Sequence, residues 1–66
     1  MSIEGFFDIT ISLWKNREKT TPTLKKEMKE VIRQFEMALD NGEIPKNREE
    51  DLKRTFKNIY WEVYKQ

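Results

Sequence analysis

The sequence contains no cysteine and no histidine. Disulfides are therefore impossible, and zinc loses its two commonest nitrogen and sulfur ligands. The usual pairings of a nucleophile with a histidine base are excluded as well. Glycine is nearly absent: Gly5 and Gly42 are the only two, too few for a glycine-rich phosphate loop. Neither charge sign dominates, with 13 basic residues against 12 acidic ones and a net charge of +1. A strongly basic total, the usual mark of a nucleic-acid binder, is missing, so only a local patch could serve. Long apolar runs are missing too. The most apolar stretch, residues 2–14, is interrupted by Glu4 and Asp8 and has no basic region before it. It is expected to be neither a signal peptide nor a membrane span.

These absences matter more because the chain has only 66 residues. A chain of this length forms one domain, residues 1–66, and buries only about 60% of the surface its unfolded form exposes. Small scaffolds usually add a disulfide, a metal or a partner chain. Here close helix packing or oligomerisation must take that role. The cysteine-free composition fits a reducing compartment, so a cytoplasmic location is expected. Eight aromatics (four Phe, two Tyr, two Trp) point to a folded chain despite 38% charged residues.

Two helices can be read directly. Leu24, Met28, Val31, Phe35 and Ala38 follow helical spacing, and Ile32 and Leu39 widen the stripe to a core-facing width. Thr21 suits an N-cap, and Pro22 suits the first helical position, where its missing N–H costs nothing. Gly42 suits the position just past the end. The spacing predicts a helix over Pro22–Asp40, with Lys25, Lys29, Arg33 and Glu36 on a solvated outer face. A further helix is expected over Arg48–Lys65. Its apolar stripe is Leu52, Phe56, Ile59 and Val63. Asn47 and Glu50 have capping-box spacing. Glu49, Glu50 and Asp51 put negative charge on the first turn, where the helix dipole favours it. That placement makes the acidic trio a capping feature rather than a catalytic one.

The connection "DNGEIPKN" has the Asn-Gly-x-Ile letters of a calcium loop. Aligned that way, its ligand positions fall on Met37, Leu39 and Arg48, which supply no side-chain carboxylate or carbonyl oxygen. A helix–helix corner is expected instead. Gly42 ends one helix, Ile44 plugs the core, Pro45 blocks continuation and Asn47 starts the next helix.

The stretch "FFDITISLWK" admits two readings. Phe7, Ile9, Ile11 and Leu13 alternate with polar residues, as in a half-buried strand. At about 100° per residue, Ile3, Phe6, Phe7, Ile9, Ile11, Leu13 and Trp14 also collect within roughly 200° of a helix, opposite Glu4, Asp8, Ser12, Lys15 and Asn16. Gly5 and the β-branched Ile9-Thr10-Ile11 run favour strand. A strand here would lack any partner in the chain and would have to pair with a second copy. The order strand, helix, "NG" corner, helix would then look loosely like the ribbon-helix-helix DNA-binding proteins, with Asp8, Thr10 and Ser12 facing the major groove. Asp8 beside phosphate, the long link after Trp14 and the acidic start of the last helix all fit that architecture poorly.

The preferred architecture is all-α: a small three-helix bundle, as a monomer or a dimer, with helices over roughly Ser2–Arg17, Pro22–Asp40 and Arg48–Lys65. Ser2 can cap the first. Its apolar arc is wider than two neighbours need, so either some of Phe7, Ile11 and Trp14 are left for another molecule or a tiny core uses large residues to close itself.

The segment "NIYWEVYKQ" carries the strongest functional signal. Trp61 points almost opposite the stripe of Leu52, Phe56, Ile59 and Val63, with Tyr60 and Tyr64 on the shoulder beside Lys53 and Lys57. Trp, Tyr and basic residues on one exposed face are enriched in protein-binding hot spots, and the same mixture can stack on single-stranded bases. The plainer alternative is that the first helix or the chain end covers Trp61. The expected function is a small non-enzymatic regulatory or inhibitory protein with no cofactor and no metal. It would bind another protein, or a second copy of itself, through Trp61, Tyr64, Tyr60, Lys57 and Trp14. A dimeric DNA-binding regulator of ribbon-helix-helix type is the alternative.

Overall fold

A computed structural model of the chain, describing residues 2–65, contains three α-helices and no strand among those residues. They are α1 (Ile3–Lys15), α2 (Pro22–Asp40) and α3 (Lys46–Lys65). Twenty residues at 1.5 Å each make α3 about 30 Å long, which sets the 32 Å long dimension of the molecule. None of the helices is long and apolar enough to cross a membrane among the described residues.

The helix starts follow local chemistry. Ser2 is the N-cap of α1, and its hydroxyl accepts from the Gly5 N–H at 3.0 Å. Thr21 does the same for α2, accepting from Leu24 N–H at 3.1 Å, with Pro22 in the first turn. Each satisfies an N–H that has no partner within its helix. At the end of α2, Gly42 N–H donates to Leu39 O and Glu43 N–H donates to Ala38 O. This crossed pair is a Schellman cap, and Gly42 adopts the positive φ of 69° it requires. Ile44 follows directly and is buried, closing the end of the core.

The start of α3 differs from the expected one. The helix begins at Lys46, so Asn47 is its second residue and cannot act as N-cap. Pro45 imposes a φ that suits the entry to a helix, and its carbonyl accepts from Arg48 N–H at 2.9 Å. The corner is therefore shorter than the Asn47–Glu50 spacing implied.

Three phenylalanines, one per helix, make the centre of the core. Phe35 and Phe56 stack at 4.5 Å, and Phe7 meets both edge-on, at 5.4 and 5.6 Å. Ile11, Met28, Ile32, Leu52, Ile59 and Val63 surround them. The side chains assigned to a free surface on α1 therefore lie inside. Phe7, Ile11 and Trp14 are buried, and Trp14 is only 2% exposed. They share the side of α1 that α2 and α3 enclose. The apolar residues left outside are Ile3, Phe6, Ile9 and Leu13.

Trp14 is further fixed by polar contacts. Its indole N–H donates to Glu62 at 3.1 Å, and the Arg17 guanidinium lies 3.7 Å from its ring centroid while donating to the same carboxylate oxygen. At the opposite end, Arg48 of α3 reaches across to Glu4 and Asp8 of α1. The Arg48 cluster ties the charged side of α1 to α3, and the Glu62 cluster ties the end of α1 to α3 through Trp14.

Candidate protein-binding face on the third helix

The four stripe residues of α3 fix its rotation, and that rotation decides what its far side presents. Leu52, Phe56, Ile59 and Val63 are all buried. Trp61 falls about 180° from their centre at the helical repeat, and it is 58% exposed. No part of the described chain covers it. Tyr60 and Tyr64, one turn apart, occupy the shoulder between Trp61 and α2, and both are more than 40% exposed. Their rings lie 4.4 Å apart with a 32° tilt, so each limits the rotamers of the other.

The tyrosines form one wall of a groove between α2 and α3. Its upper part, about 470 Å³, is bounded by Lys26, Lys29, Glu30, Arg33 and Glu36 on α2 and by Tyr60 and Tyr64 on α3. Its lower part, about 320 Å³, continues past Ile32, Glu36 and Tyr60 to Leu39, Lys53 and Lys57. The floor is apolar, formed by the buried Ile32 and Phe35, and the rim carries five basic side chains against Glu30 and Glu36. Lys29 sits with its ammonium 4.9 Å from the Tyr64 ring centroid, a cation–π contact. Arg33 is paired with Glu30 at 2.7 Å.

Of the five residues singled out from the sequence, four come together here. Tyr60 and Lys57 line the groove, Tyr64 closes its upper end, and Trp61 stands beside it on the outer surface rather than in it. The fifth, Trp14, is removed by its burial and its bond to Glu62. A short apolar floor with a basic, aromatic rim can accept an extended or helical segment that carries apolar and acidic side chains.

Lys29, expected on the solvated outer face, is exposed there and, with Arg33 and Glu36 of the same face, also borders the groove. Its signal was available: it lies one position past Met28, on the shoulder of the α2 stripe nearest Ile32, where a long side chain can lean over a neighbouring helix. Which neighbour it meets depends on tertiary packing.

Comparison of the chain with protein-family models, curated proteins and solved structures finds no match. The geometry of the face must carry the functional argument.

Proposed function

We propose that the chain is a small non-enzymatic regulatory or inhibitory protein that acts by binding another protein through Trp61, Tyr64, Tyr60 and Lys57. The observation that carries this reading is the exposure of Trp61, 58%, on the side of α3 opposite a fully buried stripe. A Trp held there contributes nothing to the core. Two restrained tyrosines lie beside it, and Trp and Tyr are the residues enriched at interface centres, while the lysines bordering the groove suit a polar rim. The basic rim favours a partner segment bearing acidic side chains. The cytoplasm goes with this reading, since a disulfide-free fold gains nothing from an oxidising compartment.

The test is capture of partners from native lysate on the immobilised chain, followed by affinity measurement for the captured protein. Trp61→Ala should weaken binding by about 2 kcal/mol or more, roughly thirtyfold. Tyr64→Ala should weaken it too, with the far-UV spectrum unchanged in both variants. Equal affinity in both variants would remove the face from consideration. Binding instead to generic nucleic acid, falling steeply with added salt, would point to phosphate contacts and count against a protein partner.

A further inference from the structure

The groove on α3 is not the only unpartnered surface. On α1, Ile9, Leu13, Phe6 and Ile3 occupy an arc of roughly 120° at the helical repeat, and none of them is buried. The single polar residue in that arc, Thr10, donates its hydroxyl to Phe6 O at 2.8 Å, so its polarity is used within the helix. All three charged residues of the helix, Glu4, Asp8 and Lys15, lie on the other side. Two of them face α3 through Arg48, so the apolar arc looks away from α3 and from Trp61. Met37 of α2 extends the arc and is itself mostly exposed.

The shape of this surface is informative. Leu13 protrudes at one end, 68% exposed. At the other end Ile3, Phe6 and Met37 enclose a hollow of about 220 Å³ floored by Phe7 and Ala38, with Gln34, Asn41 and Glu43 completing its lining. Ile9 lies midway, four residues or about 6 Å from Leu13 along the axis and a similar distance from the hollow. A two-fold axis through Ile9 would place Leu13 of each copy over the hollow of the other. Knob and hole on one face, equidistant from a centre, are what an isologous contact requires.

We infer that this face is a homodimer interface in which two antiparallel α1 helices cross at Ile9, and that the occupant is a second copy of this chain. The area is sufficient. With about 200 Å² for a side chain of this size, the four α1 residues and Met37 leave on the order of 500 Å² exposed, at the upper end for an apolar patch on a monomer. Two such patches bury about 1,000 Å², the threshold for a specific interface. The α1 arc itself carries no charge, Glu43 of the hollow being the one charged residue beside it, which favours self-association because a two-fold contact brings like residues near one another. The α3 groove stays open in this dimer, which would then present two copies of it.

The experiment is sedimentation equilibrium on the intact chain, from micromolar to millimolar concentration. The wild type should reach about 16 kDa, twice the 8.1 kDa of one chain. Ile9→Glu and Leu13→Lys should stay at the monomer mass with unchanged helical circular dichroism. Because the chain has no cysteine, Ile9→Cys supplies a second readout that leaves the surface apolar. It should cross-link to itself under mild oxidation, whereas Trp61→Cys should not. A wild type that remains monomeric at millimolar concentration overturns the proposal. So does a dimer that survives Ile9→Glu, or one that is lost in Trp61→Ala while Ile9→Cys fails to cross-link. A monomer that instead binds phosphatidylglycerol vesicles through Leu13 also overturns it. Loss of the dimer with partner capture intact would leave the Trp61 reading standing, and the converse would leave this one.

Discussion

Phe35 and Phe56 stack at 4.5 Å with only 30° between their planes. The first comes from the C-terminal half of α2 and the second from the middle of α3, so this one contact sets the distance between the two longest helices there. Phe7 then closes the third side, nearly perpendicular to both. In a chain without disulfides, this triad is the nearest thing to a staple.

Truncation of either stacked ring should therefore be severe. Phe35→Ala or Phe56→Ala should cost about 3–5 kcal/mol, through lost burial and an unfilled cavity. That approaches the whole stability of a domain this small. Urea titration followed by circular dichroism should show loss of cooperative unfolding. The double variant should cost less than the two single costs combined, because the rings contact each other. A normal melt for either single variant would place the core elsewhere.

Glu62 should matter out of proportion to its position on a half-exposed turn. It accepts from the Trp14 indole at 3.1 Å and pairs with Arg17 at 3.2 Å. Glu62→Ala leaves a nearly buried indole N–H without its acceptor, at a cost of about 1–2 kcal/mol after allowing for solvent around the ion pair. Glu62→Gln keeps an acceptor oxygen for Trp14 and should lose less. Denaturant midpoints compare the two; equal losses would assign the effect to the charge on Arg17 rather than to the indole.

These contacts explain what could be read in advance and what could not. The course of α2 was legible because Thr21, Pro22 and Gly42 mark its ends and its apolar stripe is narrow. Trp61 was legible for the same reason, since four stripe residues fix the rotation of α3. The first helix was different. Its arc spans both Phe7–Ile11–Trp14 and Phe6–Ile9–Leu13, two halves of similar hydrophobicity. Nothing local chooses between them. Arg48 holding Glu4 and Asp8, and Glu62 holding Trp14, are contacts across forty or more residues, and they turn the first half inward. Trp14 was thus misassigned by half a helix face. The start of α3 was misplaced because Asn47 and Glu50 imitate a cap that Pro45 makes unnecessary.

The Arg48 cluster should give stability a pH dependence of known sign. Hydrogen bonds from the Arg48 guanidinium, at 2.9 and 3.1 Å, hold the Asp8 carboxyl below its ordinary value of 3.8. Its folded pKa is lower than its unfolded one. The contribution is therefore complete above the unfolded value and is lost as pH falls through the folded one. Asp8 is half exposed, so the effect is small and salt-sensitive. Denaturant midpoints taken from neutral pH down through pH 3.8 should fall for the wild type and fall less for Asp8→Asn. A steeper fall in the variant would reverse the assignment.

The two tryptophans should be separable by fluorescence, and the separation tests the binding face directly. Trp14 is 2% exposed and Trp61 is 58% exposed. Iodide should quench part of the wild-type emission and leave the rest. Trp61→Phe should remove the quenchable, red-shifted part and change stability by no more than about 0.5 kcal/mol, since the side chain is outside the core. The apolar arc of α1 faces away from Trp61, so self-association should not protect it. Quenching should be the same at concentrations where the chain is a monomer and where it is a dimer. Protection should appear only when a protein partner is added, and Tyr64→Ala should reduce it. Emission from Trp61→Phe that is still readily quenched would mean that Trp14 is open to solvent. Protection of Trp61 that rises with chain concentration alone would move the self-contact from α1 to α3.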